Sequence, residues 1–157
     1  MDYLSFGWKE QNSLAAELAR PLKRISVEFA FHGRPVYVTL WRTDGTGLLV
    51  HSDMHDLADR REVGVLQFSY VFAPETQETI IEISPVFDAE LLVSKLIIQE
   101  SGAEAESGII LRAVNREEIV IVAGVNPYSV AICGVPLPEC TFEPEYKLEQ
   151  YSCISFV

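Results

Sequence analysis

A chain of 157 residues with 48% hydrophobic content is long enough for one proper core, which removes roughly 70% of the unfolded chain's surface from water at this size. The net charge of −11 is unevenly spread: residues 1–61 hold eight acids and eight bases, while residues 62–157 hold fifteen acids against Lys95, Arg112, Arg116 and Lys147. That balance excludes free nucleic acid and disfavours an anionic membrane surface, since both demand a basic footprint.

A basic protein partner is favoured instead, with an acidic surface kept for solubility as the plainer alternative. No Pro/Ser/Gly-rich tract or charge block divides the chain, so residues 1–157 are expected to form a single domain. "MDYLSFGWKEQNS" carries an acid at Asp2 and no apolar stretch of signal-peptide length, and the longest apolar runs fall well short of the roughly 20 residues of a membrane helix. The expected compartment is the cytoplasm. Cys133, Cys140 and Cys153 are odd in number and lack CxxC spacing, so buried thiols are expected rather than a disulfide framework or zinc ribbon.

In chain order, "NSLAAELARPL" predicts a helix near residues 13–20. Asn12 or Ser13 can cap it, Leu14, Leu18 and Leu22 recur every four residues, and Pro21 stops it. From Lys23 the period becomes two: Ile25, Val27, Phe29 and Phe31 alternate with Ser26, Glu28, Ala30 and His32, the pattern of a half-buried strand. "HGRP" turns the chain into "VYVTLWRT", and "TDGTG" turns it again into "LLVHS", a meander of three strands.

"VGVLQFSYVF" at 63–72 predicts a long strand, with "TIIEISPV" beyond the "APETQE" loop as its neighbour. Residues 88–99 open like a capped helix at Asp88, but their β-branched content favours strand. "SGIILRAV", "EEIVIVAG" and "YSVAICG" follow as short strands separated by turns. Pro136, Pro138 and Pro144 then forbid regular pairing until about Lys147, and a last strand is expected near 148–156. The expected fold is mainly β, with α+β as the variant: an antiparallel sandwich or barrel-like sheet of about nine to ten strands with one N-terminal helix.

Two segments carry candidate chemistry. "HSDMHD" packs two histidines and two aspartates into residues 51–56. If the strand stays regular, His51, Asp53 and His55 share one side and form a legitimate ligand set for zinc or non-haem iron. Against that, "MHDLADRRE" looks like a polar crossing that swings His55 away, leaving a solvated loop in which Asp53 or Asp56 caps a short turn. His32, the only other histidine, occupies an outward strand position. Glu117 and Glu118 point to opposite faces, "GTG" lacks the setting of a phosphate cradle, and Ser13, Ser52 and Ser84 have no nucleophile-elbow context.

The second segment, "CTFEPEYKLEQY" at 140–151, interleaves Phe142, Tyr146 and Tyr151 with Glu143, Glu145 and Glu149. Aromatic anchors inside a carboxylate rim are a common division of labour at interfaces. The plainer reading has Phe142 and Tyr146 stapling an irregular tail to the core while the glutamates face water. In class and charge alone, the chain is similar to immunity proteins and antitoxins, which neutralise basic nuclease-like toxins. The expectation is a non-enzymatic acidic protein-binding module without a cofactor. The alternative is a small β-barrel ligand-binding protein or a metal-dependent enzyme using residues 51–55.

Overall fold

The computed structural model describes residues 2–30, 33–72, 80–83, 87, 89–135, 137 and 141–156. Expectations placed on Phe31, His32, the "APETQE" loop, Ser84, Asp88, Pro136, Pro138 and Cys140 lie outside the described residues. The structure is mainly β, at 55% strand. Its one α-helix among the described residues, α1 (Leu14–Leu18), begins where Ser13 Oγ accepts the Ala16 N–H at 3.2 Å. Leu14 and Leu18 are buried, and the helix ends at Ala19, two residues before the proline that cannot continue it.

The strands are β1 (Asp2–Leu4), β2 (Arg24–Phe29), β3 (Pro35–Trp41), β4 (Gly47–Asp56), β5 (Glu62–Val71), β6 (Ile80–Ile83), β7 (Leu92–Glu100), β8 (Ala103–Arg112), β9 (Glu118–Ala123), β10 (Val130–Cys133) and β11 (Ser152–Ser155). They form two sheets, in the orders β5-β4-β3-β2-β6 and β10-β9-β8-β7-β11. The ladders are antiparallel except for β1, which lies parallel to β8 along Ala103–Ala105, clear of the Gly108–Arg112 stretch that pairs with β9. The sheets are not closed into a barrel.

Several details differ from the expectation. Eleven strands are present among the described residues, because β1 in the unpatterned N-terminal segment adds to the set. "TIIEISPV" does supply a strand, but β6 pairs with β2 rather than β5. The N-terminal segment occupies β5's outer edge: Gly7 N–H donates to Leu66 O at 3.0 Å, and Phe68 N–H donates to Gly7 O at 2.8 Å. A covered edge cannot take another strand there. Residues 92–100 are strand, as their β-branched content favours. Cys153 is exposed on β11 rather than buried, because that strand's side chains all face solvent.

The main core lies between the two sheets. Ile25, Val27, Val38, Leu40, Leu48, Val50 and Leu66 meet Ile109, Leu111, Ile119, Ile121, Val130 and Ile132, with Leu14 and Leu18 of the helix joining them. A second apolar cluster contains Val63 and Val65 of β5, Leu96 and Ile98 of β7, Val120 and Val122 of β9, and Tyr151. Strand β9 therefore contributes alternate residues to both clusters, which is why "IVIVA" reads as a continuous apolar run. The C-terminal tail reaches this second cluster through Phe142, Tyr146 and Tyr151.

Candidate functional site

The structure revises the setting of residues 51–56. β4 runs without interruption to Asp56, paired residue for residue with β5 from Gly47↔Val71 to Asp56↔Glu62. The polar stretch that suggested a loop is a tight turn closed by the Leu57 N–H donating to Arg61 O at 2.7 Å, with Arg60 at φ 67°. The solvated loop is thus replaced by a strand, because a ten-residue ladder satisfies the backbone that a loop would leave to water.

His51, Asp53 and His55 consequently share one face. At about 3.3 Å per residue, however, His51 and His55 stand about 13 Å apart along the strand. Among the described residues, no three His, Cys, Asp or Glu side chains come together as metal ligands. His51 packs against Tyr37 instead, ring centroids 5.9 Å apart. Asp53 Oδ1 accepts the Met54 N–H at 3.0 Å. His55 Nε2 is buried without a hydrogen-bond partner among the described residues.

The tail residues part ways. Backbone bonds dock the tail on the end of β9: Glu145 N–H donates to Ala123 O at 3.0 Å, and Val125 N–H donates to Glu143 O at 2.8 Å. Phe142 and Tyr146 are half-buried against the second cluster, and Tyr151 is buried within it, its ring edge-on to Tyr146 at 6.1 Å. Burial pushes both tyrosine hydroxyls above their ordinary range. Glu143 and Glu149 are exposed. Glu145 turns inward, and its Oε1 accepts the Gly64 N–H at 3.1 Å.

Glu145 sits near two further carboxylates, Glu62 and Glu100. Burial, followed by repulsion from Glu100 and Glu62, outweighs the Gly64 hydrogen bond and pushes its carboxyl up to about 7. Asp56 and Glu62 stand directly opposite each other across the β4–β5 ladder, a like-charge pairing that destabilises a sheet. Arg61 partly offsets this end, reaching Glu100 at 3.0 Å and Asp59 at 3.4 Å. Ser101 Oγ donates to Asp59 at 2.5 Å, and that bond leads the interactions holding the Asp59 carboxyl below its usual range.

Gly64 is the contact point of this arrangement, since its N–H serves Glu145 and its carbonyl accepts from the Ser107 hydroxyl at 2.5 Å. A Cβ there would stand 2.5 Å from Ala123 Cβ and 2.9 Å from Ser52 Oγ. Gly64→Ala should therefore destabilise the fold by about 1–3 kcal/mol through overpacking. Urea unfolding checks this, and a variant as stable as the parent would show that the sheets separate there freely.

Sequence reasoning named His51 only as a candidate metal ligand and missed the pocket of about 210 Å³ that it lines with Val36, Tyr37, Ser52 and Tyr128. It lies where β3 and β4 meet the turn between β9 and β10. Tyr37 and Tyr128 are 40% and 59% exposed. The tyrosine in the turn "NPYS" was the available signal, since a large aromatic in a solvent-facing turn has no packing reason to be there. No protein-family model, curated protein or solved structure matches the chain. Among the described residues no helix is long and apolar enough to cross a membrane.

Proposed function

We propose that the chain is a single-domain sandwich acting in the cytoplasm as a non-enzymatic module that binds a basic protein surface, in the manner of an immunity protein or antitoxin. The carrying observation is the hydrogen bond from Val125 N–H to Glu143 O, 2.8 Å. It sets the exposed Val125 and Tyr128 of one turn beside the exposed Glu143 of the tail. Exposed apolar anchors beside carboxylates are the division of labour of a protein interface. The excess of acids in residues 62–157 supplies the long-range attraction.

Within the segment 140–151, Glu143 and Glu149 are the steering charges. Phe142, Tyr146 and Tyr151 hold the segment in place, and Glu145 locks it to β5. Identifying the native partner by affinity capture and mass spectrometry allows both binding rates to be measured at several salt concentrations. Glu143→Gln with Glu149→Gln should slow association about threefold to tenfold at low ionic strength and flatten its salt dependence. Dissociation should change little. A partner whose association ignores both salt and these substitutions would leave the acidic surface as a solubility device.

A further inference from the structure

We infer that the pocket between Tyr37, His51, Ser52 and Tyr128 receives a lysine or arginine side chain of the basic partner, with its charged head against the two tyrosine rings. The inference rests on the proposed binding of a basic surface and names the place where that surface is anchored.

Size argues for a single side chain. The pocket holds about 210 Å³. That is below the roughly 300–1,000 Å³ of sites for drug-sized ligands and cofactors. Its chemistry argues for a cation. Two tyrosines line it, and the faces of such rings attract ammonium and guanidinium groups. Ser52, 3% exposed, contributes only a buried wall. The surrounding charge agrees: exposed Asp53 follows His51 by two residues on the same face of β4, and exposed Glu143 is bonded to the turn that carries Tyr128.

The backbone adds a separate observation. Tyr128 has φ 65°, a conformation that a bulky side chain rarely adopts. The turn holds it there: Ser129 N–H and Oγ both donate to Asn126 O, at 3.0 and 2.7 Å, and Gly124 N–H donates to Ser129 O at 2.8 Å. Strain of this kind collects at ligand clamps. Here it holds an aromatic ring at the mouth of a pocket.

The test uses the full chain with three probes: blocked arginine amide, blocked lysine amide, and blocked citrulline amide as the uncharged isostere of arginine. Binding is followed by amide chemical shifts. Saturable shifts should centre on Tyr37, His51, Ser52 and Tyr128 for the two cations and be absent for citrulline. Tyr37→Leu should weaken binding about twofold to fivefold. Tyr128→Asn should do the same while keeping a residue that tolerates positive φ. Thermal melts of both variants establish that they are folded. Equal binding of citrulline, shifts centred on the Asp56–Glu62 turn, or affinities untouched by either substitution would overturn the inference. If the native partner associates in a salt-dependent way but its dissociation ignores both tyrosine variants, the pocket assignment fails and the basic-partner reading stands. If blocked arginine saturates the pocket while the native partner is indifferent to salt, the broader reading fails alone.

Discussion

Replacing Arg42 with alanine should cost about 3–5 kcal/mol of stability, the usual consequence of removing one partner from a buried ion pair. Arg42 is 2% exposed, yet its guanidinium lies 2.9 Å from Glu17 Oε2. It also donates to the backbone carbonyls of Glu17 and Thr46, at 3.2 and 3.4 Å. One side chain thus ties α1 to the turn between β3 and β4.

Burial pushes the Glu17 carboxyl up, but hydrogen bonds from Tyr70 and Arg20, together with the charges of Arg42 and Arg20, outweigh it and hold the group below its usual range. Without Arg42, Glu17 keeps Arg20 at 3.2 Å, but the carboxylate loses its innermost partner. Since whole domains are stable by only about 5–15 kcal/mol, the variant would stand near its unfolding threshold. Arg42→Lys should be intermediate, because an ammonium retains the charge but not the planar fork that reaches several acceptors. Urea midpoints of the parent, both single variants and the Arg42→Ala, Glu17→Ala pair make the comparison. A loss below about 1 kcal/mol for Arg42→Ala would reduce the pair to a surface contact.

Glu145→Gln should make the protein more stable above neutral pH and leave it nearly unchanged in mild acid. The Glu145 carboxyl is raised in the folded protein from an ordinary 4.5 to about 7. Its contribution is therefore fully present below about 4.5 and is lost as pH rises through about 7. Over that window the shift corresponds to about 3 kcal/mol at most. Partial exposure of the group to solvent reduces the expectation to about 1–2 kcal/mol. Glutamine retains an oxygen to accept the Gly64 N–H and removes the charge repelled by Glu62 and Glu100. The difference between variant and parent should appear between pH 5 and 8.5 in urea midpoints. Parallel pH profiles for the two proteins would show that Glu145 does not titrate in its docked position.

Much of the first sheet was legible from local pattern. Ile25, Val27 and Phe29 alternate with polar residues because strand side chains alternate between faces. Ser13 and Pro21 bracket a helix because one supplies a cap and the other lacks an N–H. The strand through His55 was harder to see. His51, Asp53 and His55 lie on the face opposite the buried Leu48, Val50 and Ser52, the apolar alternation fades after Val50, and the ladder to β5 keeps the strand in register. In the tail, the alternation of aromatics and glutamates marked an unusual segment, but it did not distinguish Glu145 from Glu143. That difference arises because Glu145 bonds Gly64, 81 residues earlier in the chain.

What the residues determine on their own is local or additive. Charge sums along the chain to −11, period-two runs produce strands, and Pro and Ser positions bound the helix. What the tertiary structure decides is which strand neighbours which: β6 beside β2 rather than β5, and β1 against β8. It also decides which polar side chains are drawn inward, as with Arg42 and Glu145, and where Tyr37 and Tyr128 meet around one pocket. The physical reason is that strands pair through backbone N–H and C=O groups that nearly every residue carries alike. The choice of partner is made by long-range packing and by which edges are already covered, and neither leaves a mark in the local order of side chains.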